Sequence, residues 1–397
     1  MIKGEGCMSF QMYVPTRILF GAGQLNNLGT QKMPGKKALL VISNGKSVRE
    51  NGALSRTEEQ LKKAGVEFVL FDKIQANPLK STVMEGATVA REHNCDFIVA
   101  LGGGSVMDAS KAIAMMTTND GDLWDYVEGG TGKSLPLKNL PIPLICITTT
   151  AGTGSEVDPW GVITKEETNE KIGVGGHDSL YPVLAIVDPE LMKSVPPKFT
   201  AYQGFDALFH STECYISAYH NLMSDMYALT AIENVGKYLP RAVKNGKDIE
   251  AREGVAFANT LSGVVMTLSL TTAEHSLEHA MSAYHQELPH GAGLIILSKA
   301  FYEFFIEKHA CDDRFIRMAQ ALGIKDAQKP EDFITALVKL QEDCGVADLK
   351  MSDYGIQPSE FDTLAKNARE TMGGLFAGNP CEMTHEDCIE IYKKSYK

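Results

Sequence analysis

Phe97-Ile98-Val99-Ala100-Leu101-Gly102-Gly103-Gly104-Ser105-Val106-Met107-Asp108-Ala109-Ser110-Lys111 reads as a strand, a glycine turn and a helix. Three successive glycines let the backbone approach a ligand closely. The helix start behind them offers unpaired N–H groups and a dipole end suited to a phosphate. A tight strand-to-helix turn with Ser105 as N-cap accounts for the same residues without any ligand.

The same rhythm extends to both sides. Ala38 to Ile42 is a short apolar run, followed by a helical pattern that ends at Lys63-Ala64 with Gly65 as its stop. Val66 to Phe71 is the next strand, Ser81 to His93 the next helix, and Pro143 to Ile147 a further strand. Strands alternating with helices over short connections predict a parallel sheet covered on both faces. Beyond about Pro196 the pattern changes. Ala251–Leu270, Gly293–Glu307 and Pro330–Cys344 carry helical spacing, and strand-like runs become scarce. The length of 397 residues also favours two domains. The expectation is an α/β domain over 1–190 and an all-helical domain over 191–397, divided where prolines cluster near Asp188–Pro197.

Composition narrows the partner. Hydrophobic residues make up 44% of the chain, charged residues 22%, and the formal net charge is -12 with no basic run. A nucleic-acid binder needs a basic face, so a small molecule is the expected partner. The eight cysteines, Cys7, Cys95, Cys146, Cys214, Cys311, Cys344, Cys381 and Cys388, are scattered without a C-x-x-C pair. That suits free thiols in a reducing compartment. The opening MIKGEGCMSFQMYVP lacks the apolar core of a signal peptide, and no run approaches a membrane span. A cytoplasmic location is expected.

Two glycine motifs are incomplete. Gly132-Lys133-Ser134 resembles the end of a P-loop, but Val127 stands where that motif needs glycine. Gly21-Ala22-Gly23 opens like a dinucleotide fingerprint, but Asn26 occupies its third glycine position.

The helical half carries the stronger signal. Asp206 and His210 are spaced i, i+4, as are His275 and His279, and His290 follows in a Pro-His-Gly turn. On a helix each pair shares one face and can point into a common cleft. Imidazoles with one carboxylate suit Zn²⁺ or Fe²⁺ rather than Mg²⁺ or Ca²⁺. A single His or Asp on an amphipathic helix is usually a surface or satisfied core residue; two such pairs and a fifth candidate are harder to dismiss. Spacing alone does not choose between His275 and His279 as the ligand.

These residues resemble the iron-containing (group III) alcohol dehydrogenase family along nearly the whole chain. The resemblance rests on Tyr13–Gly23, on Gly102-Gly103-Gly104-Ser105 with Asp108 and Lys111, and on Thr149-Thr150-Ala151-Gly152-Thr153-Gly154-Ser155-Glu156-Val157. Ile186-Val187-Asp188-Pro189, Gly204-x-Asp206-Ala207-Leu208-x-His210 and Pro289-His290-Gly291 follow in the family's order. It implies a Rossmann-like nucleotide-binding α/β domain, a helical domain and a catalytic metal in the cleft between them, the architecture shared with dehydroquinate synthase. It further implies Asp206, His210, His275 and His290 as metal ligands, with His279 beside them near the nicotinamide and substrate. Gly102, Gly103, Gly104, Ser105 and Asp108 would form the pyrophosphate turn. Thr149, Thr150 and Thr153 would contact the nucleotide, and Lys171 its ribose.

Three departures from the family pattern stand out. The interval from His279 to His290 is one residue longer than usual, and Trp160 falls where some members carry a polar residue near the cofactor. After the first strand, NAD-preferring members often place an aspartate that bonds the ribose 2′-OH, but here Ser43-Asn44-Gly45-Lys46-Ser47 has no carboxylate. A 2′-phosphate would meet no repulsion there, and Lys46 can pair with it, which favours NADP(H) over NAD(H).

The implied function is hydride transfer between a nicotinamide cofactor and a small alcohol or aldehyde. One divalent ion, Fe²⁺ or alternatively Zn²⁺, would polarise the carbonyl at a site of formal charge about +1, the dication less Asp206. A homodimer or higher homo-oligomer is expected on general grounds. Three other readings share the fold: a glycerol dehydrogenase-like enzyme, a dehydroquinate synthase-like enzyme without net redox turnover, and a non-catalytic binding protein. The Thr149–Val157 string and the absence of a basic cluster for a phosphorylated substrate weigh against the synthase.

Overall fold

The computed structural model describes residues 9–397; Cys7 and the rest of the opening segment before Ser9 lie outside the described residues. The chain divides into two compact units, one over Val14–Val195 and one over Pro196–Lys397 together with the described residues up to Tyr13.

The first unit is built on β1 (Arg17–Phe20), β2 (Lys37–Ser43), β3 (Glu67–Ile74), β4 (Phe97–Gly102), β5 (Leu144–Thr148) and β8 (Leu184–Val187). All neighbours in this six-stranded sheet are parallel, in the order β1-β8-β5-β4-β2-β3. Helices α1 (Ser47–Glu50), α2 (Ala53–Lys63), α3 (Lys80–Glu92) and α4 (Gly104–Thr118) connect the strands. Alternate residues of each central strand feed two different cores. Leu39, Val41, Ile98, Ala100 and Cys146 join the core that contains Val83, Ala87 and Ile113 of α3 and α4. Ala38, Leu40, Ile42, Val99, Leu101 and Ile147 join the core that contains Leu54 and Leu61 of α2. Burial on both faces is why these strands are continuous apolar runs, as a parallel sheet requires.

The expected strands and helices of this half are present within a few residues of their expected limits. The α4 start differs: its N-cap is Gly103, with no side-chain cap, and Ser105 lies inside the helix. An antiparallel pair, β6 (Trp160–Lys165) and β7 (Glu170–Gly175), interrupts the alternation and was not anticipated. The incomplete Gly21-Ala22-Gly23 fingerprint has a structural explanation. Gly21 and Gly23 take φ of 127° and 80°, and the Gly23 and Leu25 N–H groups donate to the Asp188 carboxylate at 3.0 and 3.1 Å. The turn is closed by this protein's own aspartate.

The second unit is helical, as expected. Its helices are α5 (Pro197–Ile216), α6 (Leu222–Lys244), α7 (Ile249–Leu268), α8 (Ala273–Tyr284), α9 (His290–Glu307), α10 (Asp312–Ala321), α11 (Glu331–Asp343), α12 (Phe361–Thr371) and α13 (His385–Ser395). From Thr200 onward α5 is buried on nearly every side, as are α8 and most of α9. Helices buried all round belong at the centre of a bundle, and the polar residues these three carry include the candidate ligands. Among the described residues no single helix is long and apolar enough to cross a membrane.

Candidate functional site

In the α/β unit the chain runs from β2 outward to β3, returns to β4 on the other side of β2, and continues to β5. The connection therefore reverses between β2 and β4. Open α/β sheets bind ligands outside the carboxyl ends of the strands at such a point. Gly102 ends β4 and Gly103 and Gly104 follow it, Asn44, Gly45 and Lys46 follow β2, and Thr149 to Thr153 follow β5. Three of the segments singled out from sequence thus gather at the carboxyl ends of adjacent strands.

The glycines there are demanded by space rather than by backbone angle. A Cβ on Gly103 would stand 2.9 Å from the Thr150 side chain, and one on Gly104 2.3 Å from Thr153 Cγ2. The Thr149 N–H donates to the Gly102 carbonyl at 2.9 Å. Ser105, Thr150 and Thr153 are half-buried, whereas Asn44 and Lys46 are exposed.

Asp108 and Lys111 face inward from α4. Asp108 accepts from Ser155 Oγ at 2.7 Å and from the Val162 N–H at 3.0 Å. Lys111 Nζ donates to Ser155 Oγ at 2.7 Å, Asp158 Oδ1 at 2.9 Å and the Trp160 carbonyl at 2.5 Å. Desolvation raises the Asp108 pKa to about 6, although Lys111 and the hydrogen bonds pull the other way. The pair bolts the segment after β5 to the helix behind the glycine turn. Lys171 is buried on β7, and the half-exposed Trp160 ring lies over Gly176.

In the helical unit, Asp206 and His210 lie one turn apart on α5, His275 and His279 one turn apart on α8, and His290 opens α9 behind Pro289 rather than sitting in a loop. Asp206 Oδ1 stands 3.4 Å from His210 Nδ1, 3.6 Å from His275 Nε2 and 3.5 Å from His290 Nε2. Donors bound at about 2.0–2.2 Å in a tetrahedron stand about 3.3–3.6 Å apart, which these three distances to the Asp206 carboxylate match. Asp206, His275 and His290 form one cluster of possible ligands, and Glu278, His279 and His290 a second. His210 lies outside both; its ring stacks on His275 with centroids 4.3 Å apart. Asp206 Oδ1 and His275 Nε2 are buried without a hydrogen bond, a costly arrangement that a bound cation relieves. The residues present fit a divalent ion.

Close packing holds α5 against α6 and α9. A Cβ on Gly204 would meet Leu239 of α6 at 2.2 Å, and one on Gly291 would meet the Tyr202 carbonyl of α5 at 2.2 Å. The start of α9, with His290 on it, is thereby pressed against the helix that carries Asp206.

Two carboxylates that the sequence reading missed lie behind the histidines. His275 Nδ1 is hydrogen-bonded to Glu213 Oε1, and His290 Nδ1 to Glu278 Oε2. Both glutamates are fully buried. The charge of about +1 expected from Asp206 alone therefore omits two adjacent acidic groups. Burial works to raise the Asp206 pKa, but the His210 and His290 imidazoles outweigh it and hold the carboxyl well below its ordinary range. Burial likewise opposes a charged His275, yet Glu213 and Asp206 raise its pKa to about 10. Glu274, beside them, is pushed well above the usual range by desolvation and by Glu213. His279 is buried, with Nδ1 2.7 Å from Met372 Sδ and its ring centroid 5.2 Å from that of His290.

Comparison with known proteins agrees with this architecture. Residues 15–189 match the family described as iron-containing alcohol dehydrogenase, and residues 200–396 match the C-terminal family of the Fe-containing alcohol dehydrogenases. A choline dehydrogenase of Bacillus subtilis is 35% identical, covering 100% of this chain and 97% of that one. A 1,3-propanediol dehydrogenase of Klebsiella pneumoniae is 32% identical over 98% of this chain and 100% of its own. Among solved structures, the archaeal halo-thermophilic Red Sea brine pool alcohol dehydrogenase ADH/D1 superposes with a TM-score of 0.93 at 35% identity, covering 98% and 100% of the two chains. The matched segments span both units, and the chain belongs to the iron-containing alcohol dehydrogenase family.

Proposed function

We propose that this protein transfers a hydride between NADP(H), in preference to NAD(H), and a small primary alcohol or its aldehyde. One divalent ion would be held by Asp206, His210, His275 and His290, with Fe²⁺ the expected metal and Zn²⁺ the alternative. The observation that carries the reading is the convergence of three imidazole nitrogens on Asp206 Oδ1 at 3.4–3.6 Å. Choline and 1,3-propanediol, named for two relatives, are both primary alcohols, which supports the substrate class.

When bound, the ion supplies Lewis acidity to the substrate oxygen, and the nicotinamide supplies or accepts the hydride. The chain's residues do the rest. The domain of residues 1–190 takes the dinucleotide and that of 191–397 the metal. Backbone N–H groups of Gly103, Gly104 and Ser105, at the start of α4, receive the pyrophosphate. Thr149, Thr150 and Thr153 bind beside it, and Lys171 takes the ribose. Lys46 receives a 2′-phosphate; the Asp72 carboxylate on neighbouring β3 is already paired with Arg49 at 2.5 Å. His279 moves the proton to and from the substrate oxygen through Nε2, since its Nδ1 faces Met372. A cytoplasmic homo-oligomer belongs to the same reading, and the described cysteines are all free thiols.

Metal analysis of His275→Ala and His290→Ala tests the ligand set. Both variants are expected to lose the metal and the activity together. Near-normal metal content and turnover in either one would sink the assignment.

A further inference from the structure

Each of two candidate metal histidines turns its far nitrogen to a buried carboxylate, and the two carboxylates are themselves held. Glu213 lies on α5, seven residues beyond Asp206 and hence on the same face. Its Oε1 accepts from His275 Nδ1, and its Oε2 accepts from the Thr272 N–H and the Thr272 hydroxyl, both at 2.8 Å. Thr272 is the N-cap residue of α8, so one carboxylate fixes both the helix start and the ring borne on its first turn. Glu278 lies on α8 and accepts from His290 Nδ1 at the start of α9. Space for it is made on α9 itself: a Cβ on Gly293 would stand 2.7 Å from Glu278 Cγ and 2.9 Å from its Oε1.

An ionised carboxylate only accepts hydrogen bonds, so each of these contacts places the imidazole proton on Nδ1. In the neutral imidazole that a metal requires, the lone pair is then left on Nε2, the atom that faces Asp206 in both rings. We propose that Glu213 and Glu278 are the positioning residues of the metal centre, fixing His275 and His290 in the Nδ1–H tautomer with Nε2 presented to the ion. They do not touch the reacting atoms. They set ring orientation and ligand basicity, and they add negative charge that raises the hold on a dication. The inference rests on the metal-site reading above and goes beyond it by assigning two residues outside the ligand set. It also gives Gly293 a role: its missing side chain is the space in which the Glu278 carboxylate sits.

The test is Zn²⁺ affinity, measured by competition with a chromophoric chelator, for the unaltered protein, Glu278→Gln and Gly293→Ala, alongside the melting temperature of each metal-free protein. With one Zn²⁺ bound by the unaltered protein, Glu278→Gln is expected to weaken binding about 10- to 100-fold, the usual cost of losing such a partner. Gly293→Ala, which displaces the carboxylate without removing charge, should weaken it in the same direction. Affinities of both variants within twofold of the unaltered protein overturn the proposal while leaving the metal site standing. Absence of Zn²⁺ binding by the unaltered protein would instead remove the reading beneath it.

A measurement independent of variant folding uses the Zn²⁺-loaded protein labelled with ¹⁵N-histidine. Long-range ¹H–¹⁵N correlations should show His275 and His290 protonated on Nδ1, each proton shifted far downfield by its carboxylate. Protonation on Nε2 in either ring contradicts the assignment. Ligation through Nε2 by itself leaves the proton on Nδ1, so the discriminating reading is the shift: an ordinary imidazole N–H shift in either ring overturns the positioning role of its glutamate.

Discussion

Gly104 and Thr153 are packed so closely that a Cβ on the glycine would stand 2.3 Å from Thr153 Cγ2. The turn after β4 and the segment after β5 thus form one surface, and the absence of a side chain at 104 is what allows it. Gly104→Ala must push Thr153 away from the start of α4. The expected result is about tenfold weaker binding of the dinucleotide, near 1.4 kcal/mol, by fluorescence titration, with the metal content unchanged.

Lys111 is 1% exposed and donates to three acceptors, two of them in the segment after β5. Lys111→Met keeps the bulk but leaves the buried Asp158 carboxylate without its paired cation. Breaking one side of a buried pair costs about 3–5 kcal/mol. Both tryptophans, Trp124 and Trp160, lie in the α/β unit. Urea unfolding followed by tryptophan emission should therefore report this loss directly, and an unchanged midpoint would show that the network is dispensable.

Asp108 supplies a pH dependence of known sign. Desolvation lifts its folded pKa from 3.8 to about 6. Between those values the folded protein holds a proton that the unfolded chain has lost, so this group's contribution to stability falls as pH rises through the window. The melting temperature of the unaltered protein minus that of Asp108→Asn should decrease from pH 4 to pH 6 and level off above pH 7. A difference that grows with pH over that range would contradict the burial argument.

Lys46 stands exposed at the end of β2, where no carboxylate awaits a ribose hydroxyl. Lys46→Ala should weaken NADPH binding roughly two- to fivefold, the scale of one exposed ion pair, and leave NADH unaltered. Equal changes for both cofactors would remove the basis for the NADP(H) preference.

How far the sequence carried depends on where each signal resides. β2, β4 and β5 were legible because burial on both faces leaves an uninterrupted apolar run. The β6–β7 pair was not, because Gly161 and Gly173 break the alternation and Lys165, Glu166, Glu167 and Glu170 look like a solvated loop. Gly161 is there because a Cβ would meet the Asp108 backbone at 2.9 Å, a contact with a helix more than fifty residues earlier. The i, i+4 pairs placed Asp206, His210, His275 and His279 on their helices correctly. His290 was read as part of a turn because α9 only becomes visibly apolar at Gly293 and Leu294; in fact Pro289 caps the helix and His290 begins it. Glu213 and Glu278 escaped notice because an acid on a helix ordinarily faces water. Their spacing held a usable hint, since Glu213 is i+7 from Asp206 and Glu278 is i+3 from His275, on the ligand faces. What makes them functional is a histidine from another helix, which local pattern does not reveal.

The most direct test is butanal-dependent oxidation of NADPH and NADH at equal concentrations, using metal-stripped protein reloaded with Fe²⁺ under anaerobic conditions. The account predicts turnover that requires the metal, favours NADPH and is lost in His275→Ala. No oxidation of either cofactor with Fe²⁺ or Zn²⁺ bound, across a panel of small aldehydes, would contradict it.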